Sequence, residues 1–169
     1  MSRVAIFVDG ANMFYAQKQL GWNIDFVRVL EHLSRGHELV AAFYYTGEIG
    51  PDPQQEAFLR ALTYHGYTVR KKPVKEIADA QTGRTLRKAN LDVEIAIDIL
   101  LTLDQYDVAY LLSGDGDLER VVRELRSRGK RVYVIAKEGM LAFELLNSSD
   151  LPRQYLDDLR GQVERADRK

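Results

Sequence analysis

The chain has 169 residues, of which 46% are hydrophobic and 29% are charged, and its 24 basic and 25 acidic residues give a net charge of −1. This size and composition predict one domain with a sizeable core, and they exclude a disordered chain and a globally basic nucleic-acid-binding protein. The chain contains no cysteine, which excludes a disulfide scaffold, a thiolate zinc site and a cysteine nucleophile.

Short β-branched runs alternate with segments of helical periodicity along the chain. The predicted strands are Arg3–Val8, Glu38–Tyr45, Tyr67–Lys72, Val108–Leu112 and Arg131–Ile135. The predicted helices are Asn12–Leu20, Asp25–Ser34, Pro53–His65, a helix from its cap Asn90 to about Leu103, Leu118–Arg128 and Met140–Asn147. Thr46–Pro51 is predicted to be a loop. Residues 1–150 are predicted to form the domain, and residues 151–169 a helical or frayed tail.

This alternation predicts an α/β fold: a three-layer, Rossmann-like domain with a mainly parallel sheet and helices on both faces. If the strand order is 3-2-1-4-5, the first and fourth strands are neighbours. Ligands of such sheets bind at the carboxyl ends of the strands near the chain reversal. The turns that follow the first and fourth strands are therefore where we expect a site.

Both of these turns are acidic. Asp9 and Gly10 follow the first strand, and the run Ser113-Gly114-Asp115-Gly116-Asp117 follows the fourth. Glycine after the aspartate lets the backbone turn sharply. The plainer interpretation is that Asp9 and Asp117 only cap the next helices. Two acidic turns that adjoin each other favour a shared site instead.

A further aspartate, Asp92, lies in the first turn of a helix that is apolar nearly all round and is therefore expected to be buried. Helical geometry puts Glu94 and Asp98 on one face and points Asp92 nearly the other way. Asp92 could merely interact with the helix dipole. Glu94 is expected on a solvated face, and the role of Asp98 is left open.

Carboxylates that converge without a basic partner repel one another, and a hard divalent cation such as Mg²⁺ or Mn²⁺ relieves this repulsion. Such an ion could activate water and stabilise the leaving oxygen of a phosphodiester. The three histidines, His32, His37 and His65, lie in segments expected on the opposite side from these turns, which makes histidine-based chemistry a poor competitor.

Three ordered motifs carry a family resemblance: Phe7-Val8-Asp9-Gly10-Ala11-Asn12, Lys88-Ala89-Asn90-Leu91-Asp92-Val93 with Asp98, and Ser113-Gly114-Asp115-Gly116-Asp117-Leu118. Over roughly residues 3–147 the chain resembles the NYN-domain (LabA-like) family of the PIN-like nuclease superfamily. The resemblance implies a metal-dependent ribonuclease with strand order 3-2-1-4-5. It implies that Asp9, Asp92, Asp115 and Asp117 bind the metal, that Asn12 orients Asp9 or a water, and that Ser113 supports the acids or contacts phosphate.

The segment from Arg70 to Lys88 is basic, with seven basic and two acidic residues. Its middle, around Val74–Gly83, is predicted to be an extended loop or hairpin. We expect Lys72, Arg87 and Lys88 to bind RNA phosphates, although a merely solvated loop is the alternative. Tyr44, Tyr45 and Phe14, near the same strand ends, could stack on unpaired bases, although each alone is more often a core residue.

Two other classes of protein with a related fold are excluded, because each needs an aspartate at a position where this chain has another residue. A phosphoacceptor receiver domain needs an aspartate after the third strand, where this chain has Lys71 and Lys72, and a haloacid-dehalogenase phosphatase needs one at Ala11. The sequence therefore predicts a Mg²⁺- or Mn²⁺-dependent endoribonuclease that acts on RNA, with single strands the expected substrate. The alternative is a catalytically silent nucleic-acid-binding or regulatory module that retains the acidic site.

No stretch approaches the ~18 consecutive apolar residues of a membrane span, and the apolar run Val4–Val8 is too short for a signal-peptide core. A soluble cytoplasmic protein without a membrane partner is expected. Whether residues 152–169 support a homodimer is left open.

Overall fold

The computed structural model describes residues 1–166, apart from the side chains of residues 77 and 86–88, and shows a parallel sheet with helices on both faces. The strands of this sheet are β1 (Arg3–Asp9), β2 (Glu38–Glu48), β3 (Thr68–Pro73), β6 (Val108–Leu112), β7 (Arg131–Ala136) and β8 (Gln154–Tyr155), while β4 (Lys75–Ala78) and β5 (Thr85–Lys88) pair as a separate antiparallel hairpin. The helices are α1 (Gly10–Leu20), α2 (Phe26–Leu33), α3 (Pro53–Tyr64), α4 (Asp92–Leu101), α5 (Glu119–Ser127), α6 (Phe143–Ser148) and α7 (Arg160–Val163).

The strand order of the large sheet is β3-β2-β1-β6-β7-β8, and all neighbours are parallel. Numbered by the five predicted strands this is 3-2-1-4-5, so the predicted order is confirmed. The registers pair Val8 of β1 with Leu112 of β6. The acidic turns after these two strands therefore begin side by side at one edge of the sheet.

The central strand β1 is buried on both faces, as parallel strands between two helical layers are. Val4, Ile6 and Val8 join the core under α1, α2 and α3, whereas Ala5 and Phe7 join the core under α4, α5 and α6. The predicted three-layer α/β architecture is confirmed.

Strand β2 is longer than the sequence predicts. It continues through Glu48, because Thr46, Gly47 and Glu48 pair with residues 71–73 of β3. The prediction of a loop was therefore wrong for the first three residues of Thr46–Pro51. The predicted hairpin after β3 is present as β4 and β5.

Helix α4 is not buried all round, and that prediction was wrong. Ile95 and Ile99 face the core, but Val93 is 64% exposed and Leu101 is 77% exposed. The reason is that α4 lies on the outside of the layered fold, where only its inner side packs against β1, α5 and the short turn that precedes α5.

The segment after residue 150 packs on the rest of the chain. Strand β8 pairs with β7, and Leu156 and Val163 are buried in the same core as β1. The backbone amide of Asp25 donates to the carbonyl oxygen of Val163. The division at residue 150 stays a prediction. Among the described residues, no helix combines the length and the hydropathy needed to cross a membrane.

Candidate metal centre and nucleic-acid interface

Four hydrogen bonds hold the turns after β1 and β6: one lies within each turn, and two connect the turns to each other. The amide of Asn12 donates to Asp9 Oδ1 (3.1 Å) and the Ser113 hydroxyl donates to Asp9 Oδ2 (2.9 Å). In return, the amide of Gly114 donates to Asn12 Oδ1 (3.1 Å), and the amide of Asp115 donates to Ser113 Oγ (3.2 Å). The two acidic turns are therefore held in one fixed arrangement.

Three carboxylates meet beside this network. One oxygen each from Asp92, Asp115 and Asp117 lies within 4.8 Å of the others. Asp92 is brought there as the first residue of α4, where its amide donates to the side chain of Asn90 (2.8 Å). The three oxygens lie close enough together to share one cation.

The electrostatics of these groups are those of an uncompensated acidic cluster. Burial, followed by the charge of Asp115, raises the pKa of Asp92 to about 6. Burial also raises the pKa of Asp9, although the hydrogen bonds from Asn12 and Ser113 oppose the shift. Asp92 Oδ2 is buried and has no hydrogen-bond partner among the described residues. Within the described part of the chain, no lysine, arginine or histidine forms an ion pair with any of these acids.

Helix capping and cation binding are not exclusive here. Asp9 caps α1, and Asp115 Oδ1 accepts a hydrogen bond from the amide of Asp117 (3.0 Å) at the start of the next helical turn. Asp117, which the plainer interpretation of the sequence made a cap, does not cap α5: its own side chain is exposed beside the other two acids. Asp115 therefore acts as a local cap and also belongs to the acidic cluster, whereas Asp9 caps α1 beside the cluster, near enough for the charge of Asp115 to raise its pKa.

The turn after β6 can approach its neighbours because residue 114 has no side chain. A Cβ built on Gly114 would overlap the carbonyl oxygen of Met140, and the Gly114 carbonyl accepts a hydrogen bond from the amide of Ala142 (3.0 Å). The loop that leads into α6 therefore fixes the acidic turn from outside.

Replacing Gly114 with alanine is expected to lower the free energy of unfolding by about 1–3 kcal/mol, since the added methyl forces a backbone shift. Gly161→Ala is the matched control, because nothing lies within 4 Å of a Cβ there and its φ is not positive. Urea denaturation of both variants measures the difference. Equal midpoints would show that the turn moves away from Met140 at no cost.

Asp98, whose role the sequence left open, lies outside the acidic cluster. Asp98 is buried and forms an ion pair with a half-exposed arginine. Its carboxylate accepts two hydrogen bonds from Arg70 of β3, both 2.9 Å long, and one from the Tyr45 hydroxyl (3.1 Å). These contacts fasten α4 to β2 and β3. Asp98 therefore helps to hold the helix whose first residue is Asp92.

Several cations of the basic segment Arg70–Lys88 already form ion pairs with acidic residues. Lys71 Nζ lies 3.0 Å from Glu48, and Lys72 Nζ lies 2.7 Å from Glu94 and 3.1 Å from the carbonyl oxygen of Asn90. Glu94, expected on a solvated face, is thus half-buried against Lys72. The prediction that Lys72 binds substrate stays a prediction.

The other predicted phosphate contacts fall on the β4–β5 hairpin. The backbones of Arg87 and Lys88 pair with those of Glu76 and Lys75, but the side chains of Arg87 and Lys88 lie outside the described residues. Lys75 and Arg84 are exposed on this hairpin and form no ion pair among the described residues.

The three aromatic residues considered for base stacking differ in their exposure to solvent. Tyr44 and Tyr45 are buried in the two cores, so for these two residues the alternative of a core residue holds and base stacking does not. Consecutive residues of a strand covered on both faces are both buried. Phe14 is exposed as that role requires, and so is its neighbour Tyr15, which sequence reasoning missed.

A parallel sheet in this order, with acids gathered at the carboxyl ends of its central strands, defines a three-layer, Rossmann-like α/β domain with an acidic site at one edge. The chain belongs to the NYN-domain family, since the sequence profile of the NYN domain matches residues 3–155. The predicted family is thereby confirmed, and it points to a nuclease-type hydrolase.

Two relatives support this assignment. The chain is 46% identical to the low amplitude and bright protein LabA of Synechococcus elongatus, over 99% of this chain and 90% of that protein. It is also similar to the crystal structure of a protein of unknown function from Vibrio parahaemolyticus, with a TM-score of 0.76 and 26% identity over 91% of both chains.

Proposed function

We propose that this protein is a Mg²⁺- or Mn²⁺-dependent ribonuclease that hydrolyses phosphodiester bonds within single-stranded RNA. The convergence of the Asp92, Asp115 and Asp117 carboxylates within 4.8 Å is the observation that carries the proposal. Membership of the NYN-domain family supports it, because that family is of the nuclease type and typically uses a divalent metal.

The residues present fit such an ion. All donors in the cluster are carboxylate oxygens, which suit Mg²⁺ and Mn²⁺. The unpartnered, buried Asp92 Oδ2 and the raised pKa of Asp92 are what carboxylates that share a cation show in its absence. Asp92, Asp115 and Asp117 would hold the ion, with Asp9 beside them.

A bound divalent ion lowers the pKa of water and offsets the negative charge that develops on the phosphate oxygens. The chain's own contribution is to position its acids. Ser113 and the Asn12 amide each hold one oxygen of Asp9, so this carboxylate cannot rotate away from the cluster. Because the Ser113 hydroxyl is buried between Asp9 and the Asp115 amide, its position supports the role of holding the acids over that of a phosphate contact.

The substrate would cross the carboxyl edge of the sheet. The β4–β5 hairpin ends four residues before Asp92, and its Lys75 and Arg84 side chains are exposed. Arg87 and Lys88 of the same hairpin are predicted to contact phosphates as well. Phosphates held there would bring the backbone of the RNA toward the acids. Action in the cytoplasm and assembly as a homodimer remain predictions from the sequence.

Cleavage of labelled RNA tests the proposed function. Wild type is expected to cut a single-stranded linear RNA and a circular RNA of the same sequence with Mn²⁺ or Mg²⁺, and to cut neither with EDTA. Circular RNA has no ends, so its cleavage identifies an endonuclease. Binding without cleavage under all metal conditions would favour the silent regulatory module.

A pair of exposed aspartates separates a specific site from general acidity. Asp117→Asn removes one carboxylate of the cluster and is expected to abolish cleavage, whereas Asp104→Asn changes an exposed aspartate elsewhere and is expected to keep it. Equal activity of the two variants would contradict the assignment of Asp117 to the site.

A further inference from the structure

Helix α1 carries two aromatic rings and a lysine on its solvent side. Phe14 is 53% exposed and Tyr15 is 57% exposed, although Met13 and Ala16 of the same helix are fully buried. The two ring centroids lie 5.7 Å apart at an interplanar angle of 73°. Lys18 Nζ lies 4.5 Å from the centroid of Phe14 and 5.7 Å from that of Tyr15. We call these three residues the α1 aromatic patch.

The position of the patch follows from helical spacing. Helix α1 begins directly after Asp9, and Asn12, whose side chain accepts a hydrogen bond from Gly114, lies in its first turn. Tyr15 follows Asn12 by three residues and Lys18 follows Tyr15 by three, so the three lie in one row on the helix surface. Because helical side chains lean toward the N-terminus, the rings lean toward the acidic turns.

We propose that the α1 aromatic patch binds a base of single-stranded RNA by stacking, next to the acidic cluster. This proposal rests on the proposed function, because the RNA strand that stacks here is the one cleaved at Asp92, Asp115 and Asp117. Aromatic rings hold unpaired bases through their faces and do so with little regard to sequence. Lys18, already placed against both rings, supplies the positive charge for an adjoining phosphate.

The composition of the patch favours a nucleic acid over a protein partner. The exposed residues of α1 are Phe14, Tyr15, Lys18 and Gln19, so the rings are bordered by polar side chains and no exposed aliphatic side chain of this helix extends them into an apolar surface. A cation over an aromatic pair matches a ligand that is both planar and anionic. RNA has both properties, and the neighbouring acidic cluster already suits its phosphodiester.

Binding of a 5′-fluorescein-labelled, 12-nucleotide single-stranded RNA, measured by fluorescence anisotropy in EDTA, tests the proposal without cleavage. Phe14→Ala and Tyr15→Ala are each expected to raise Kd about tenfold, within the range that loss of one stacked base produces. Tyr15→Phe keeps the ring and is expected to stay within about twofold of wild type. Tyr64→Ala, which removes a tyrosine that is 87% exposed at the end of α3, is the matched control and should not change Kd.

An abasic scan of the same RNA ties the effect to one base. At one position, removal of the base should weaken wild-type binding about tenfold and leave Tyr15→Ala binding unchanged, because that variant has already lost the stacking contact. The proposal is overturned if Tyr15→Ala binds like wild type, if every abasic position weakens both proteins equally, or if wild type binds no RNA. It is also overturned if Tyr15→Ala changes the oligomeric state in place of RNA affinity.

Failure of this proposal is distinguishable from failure of the proposed function. RNA that stacks on the patch but is never cut with Mn²⁺ or Mg²⁺ would leave the stacking site standing and remove the ribonuclease. If wild type cleaves RNA with metal, but Phe14→Ala and Tyr15→Ala bind RNA with unchanged Kd, the ribonuclease stands and the stacking site is removed. Thermal melts of both variants verify that loss of binding does not come from loss of the fold.

Discussion

Asp92→Asn is expected to lose RNA cleavage by more than about 100-fold and yet to melt at a higher temperature than wild type in EDTA at pH 7.5. Activity falls because an amide keeps the shape of the carboxylate but not its charge, and even residues that only support metal ligands cost 10–100-fold when replaced. Stability rises because Asp92, whose pKa is raised to about 6, is charged at pH 7.5 in a cluster that disfavours its charge. The expected gain is on the order of 1–2 kcal/mol, after allowance for partial exposure.

The contribution of Asp92 to the free energy of unfolding is expected to fall as the pH rises. The pKa of Asp92 is about 6 in the folded protein against an ordinary 3.8, so between these values the folded state binds more protons than the unfolded state. The stabilisation from protonating Asp92 is therefore complete below about pH 3.8 and is lost as the pH rises through about 6. Other carboxylates titrate too, so the quantity to measure is the difference in free energy of unfolding between wild type and Asp92→Asn from pH 4.5 to pH 8.

Divalent metal should reverse the order of the two proteins. Millimolar Mn²⁺ is expected to raise the melting temperature of wild type by mass action on the folded state, and to raise that of Asp92→Asn much less. A helix-dipole role for Asp92 predicts the opposite: lower stability of Asp92→Asn in EDTA and no response to Mn²⁺. That result would remove the metal centre.

The sequence could predict which acids lie near one another, because strand order places the turns that carry most of them. Once β1 and β6 are neighbours, Asp9 and Asp115 must end at the same edge, and the six-residue spacing on α4 separates Asp92 from the face of Asp98. What local patterns could not supply were non-local pairings. Gly47 and Glu48 lie in β2 because β3 runs beside them, and nothing in their own residue types predicts a strand.

The exposure of individual side chains was the least predictable feature. Tyr45 and Phe14 are both aromatic residues near strand ends, yet the first is buried and the second is solvent-exposed. The difference arises from the layers: Tyr45 lies in a strand covered by α4, whereas Phe14 lies on the outer side of α1. The exposure of the apolar residues of α4 was unpredictable for a related reason. The sequence of a helix that is apolar all round does not show which of its sides has no packing neighbour.

The ion pair between Arg70 and Asp98 was equally hidden, since its partners lie on β3 and α4, and its removal is expected to have the largest effect on stability. The Asp98 side chain is 9% exposed and that of Arg70 is 47% exposed. Among the described residues, Arg70→Ala leaves the Tyr45 hydroxyl, at 3.1 Å, as the remaining hydrogen-bond donor to the Asp98 carboxylate. We expect a loss of about 2–3 kcal/mol, below the roughly 3–5 kcal/mol of a fully buried pair because water reaches the arginine.

The neighbouring residue of the same strand provides the control. Lys71 pairs with Glu48 at 3.0 Å, but both side chains are at least one-third exposed, so Lys71→Ala should cost less than about 1 kcal/mol. Arg70→Lys should fall between the two, since lysine keeps the charge and loses the paired geometry of the guanidinium. In an Asp98→Asn background, Arg70→Ala should cost much less than in wild type, because no buried charge is then left without its partner. Equal costs of Arg70→Ala in both backgrounds, measured by urea denaturation, would show that Asp98 does not depend on Arg70 and that α4 is held by its apolar side alone.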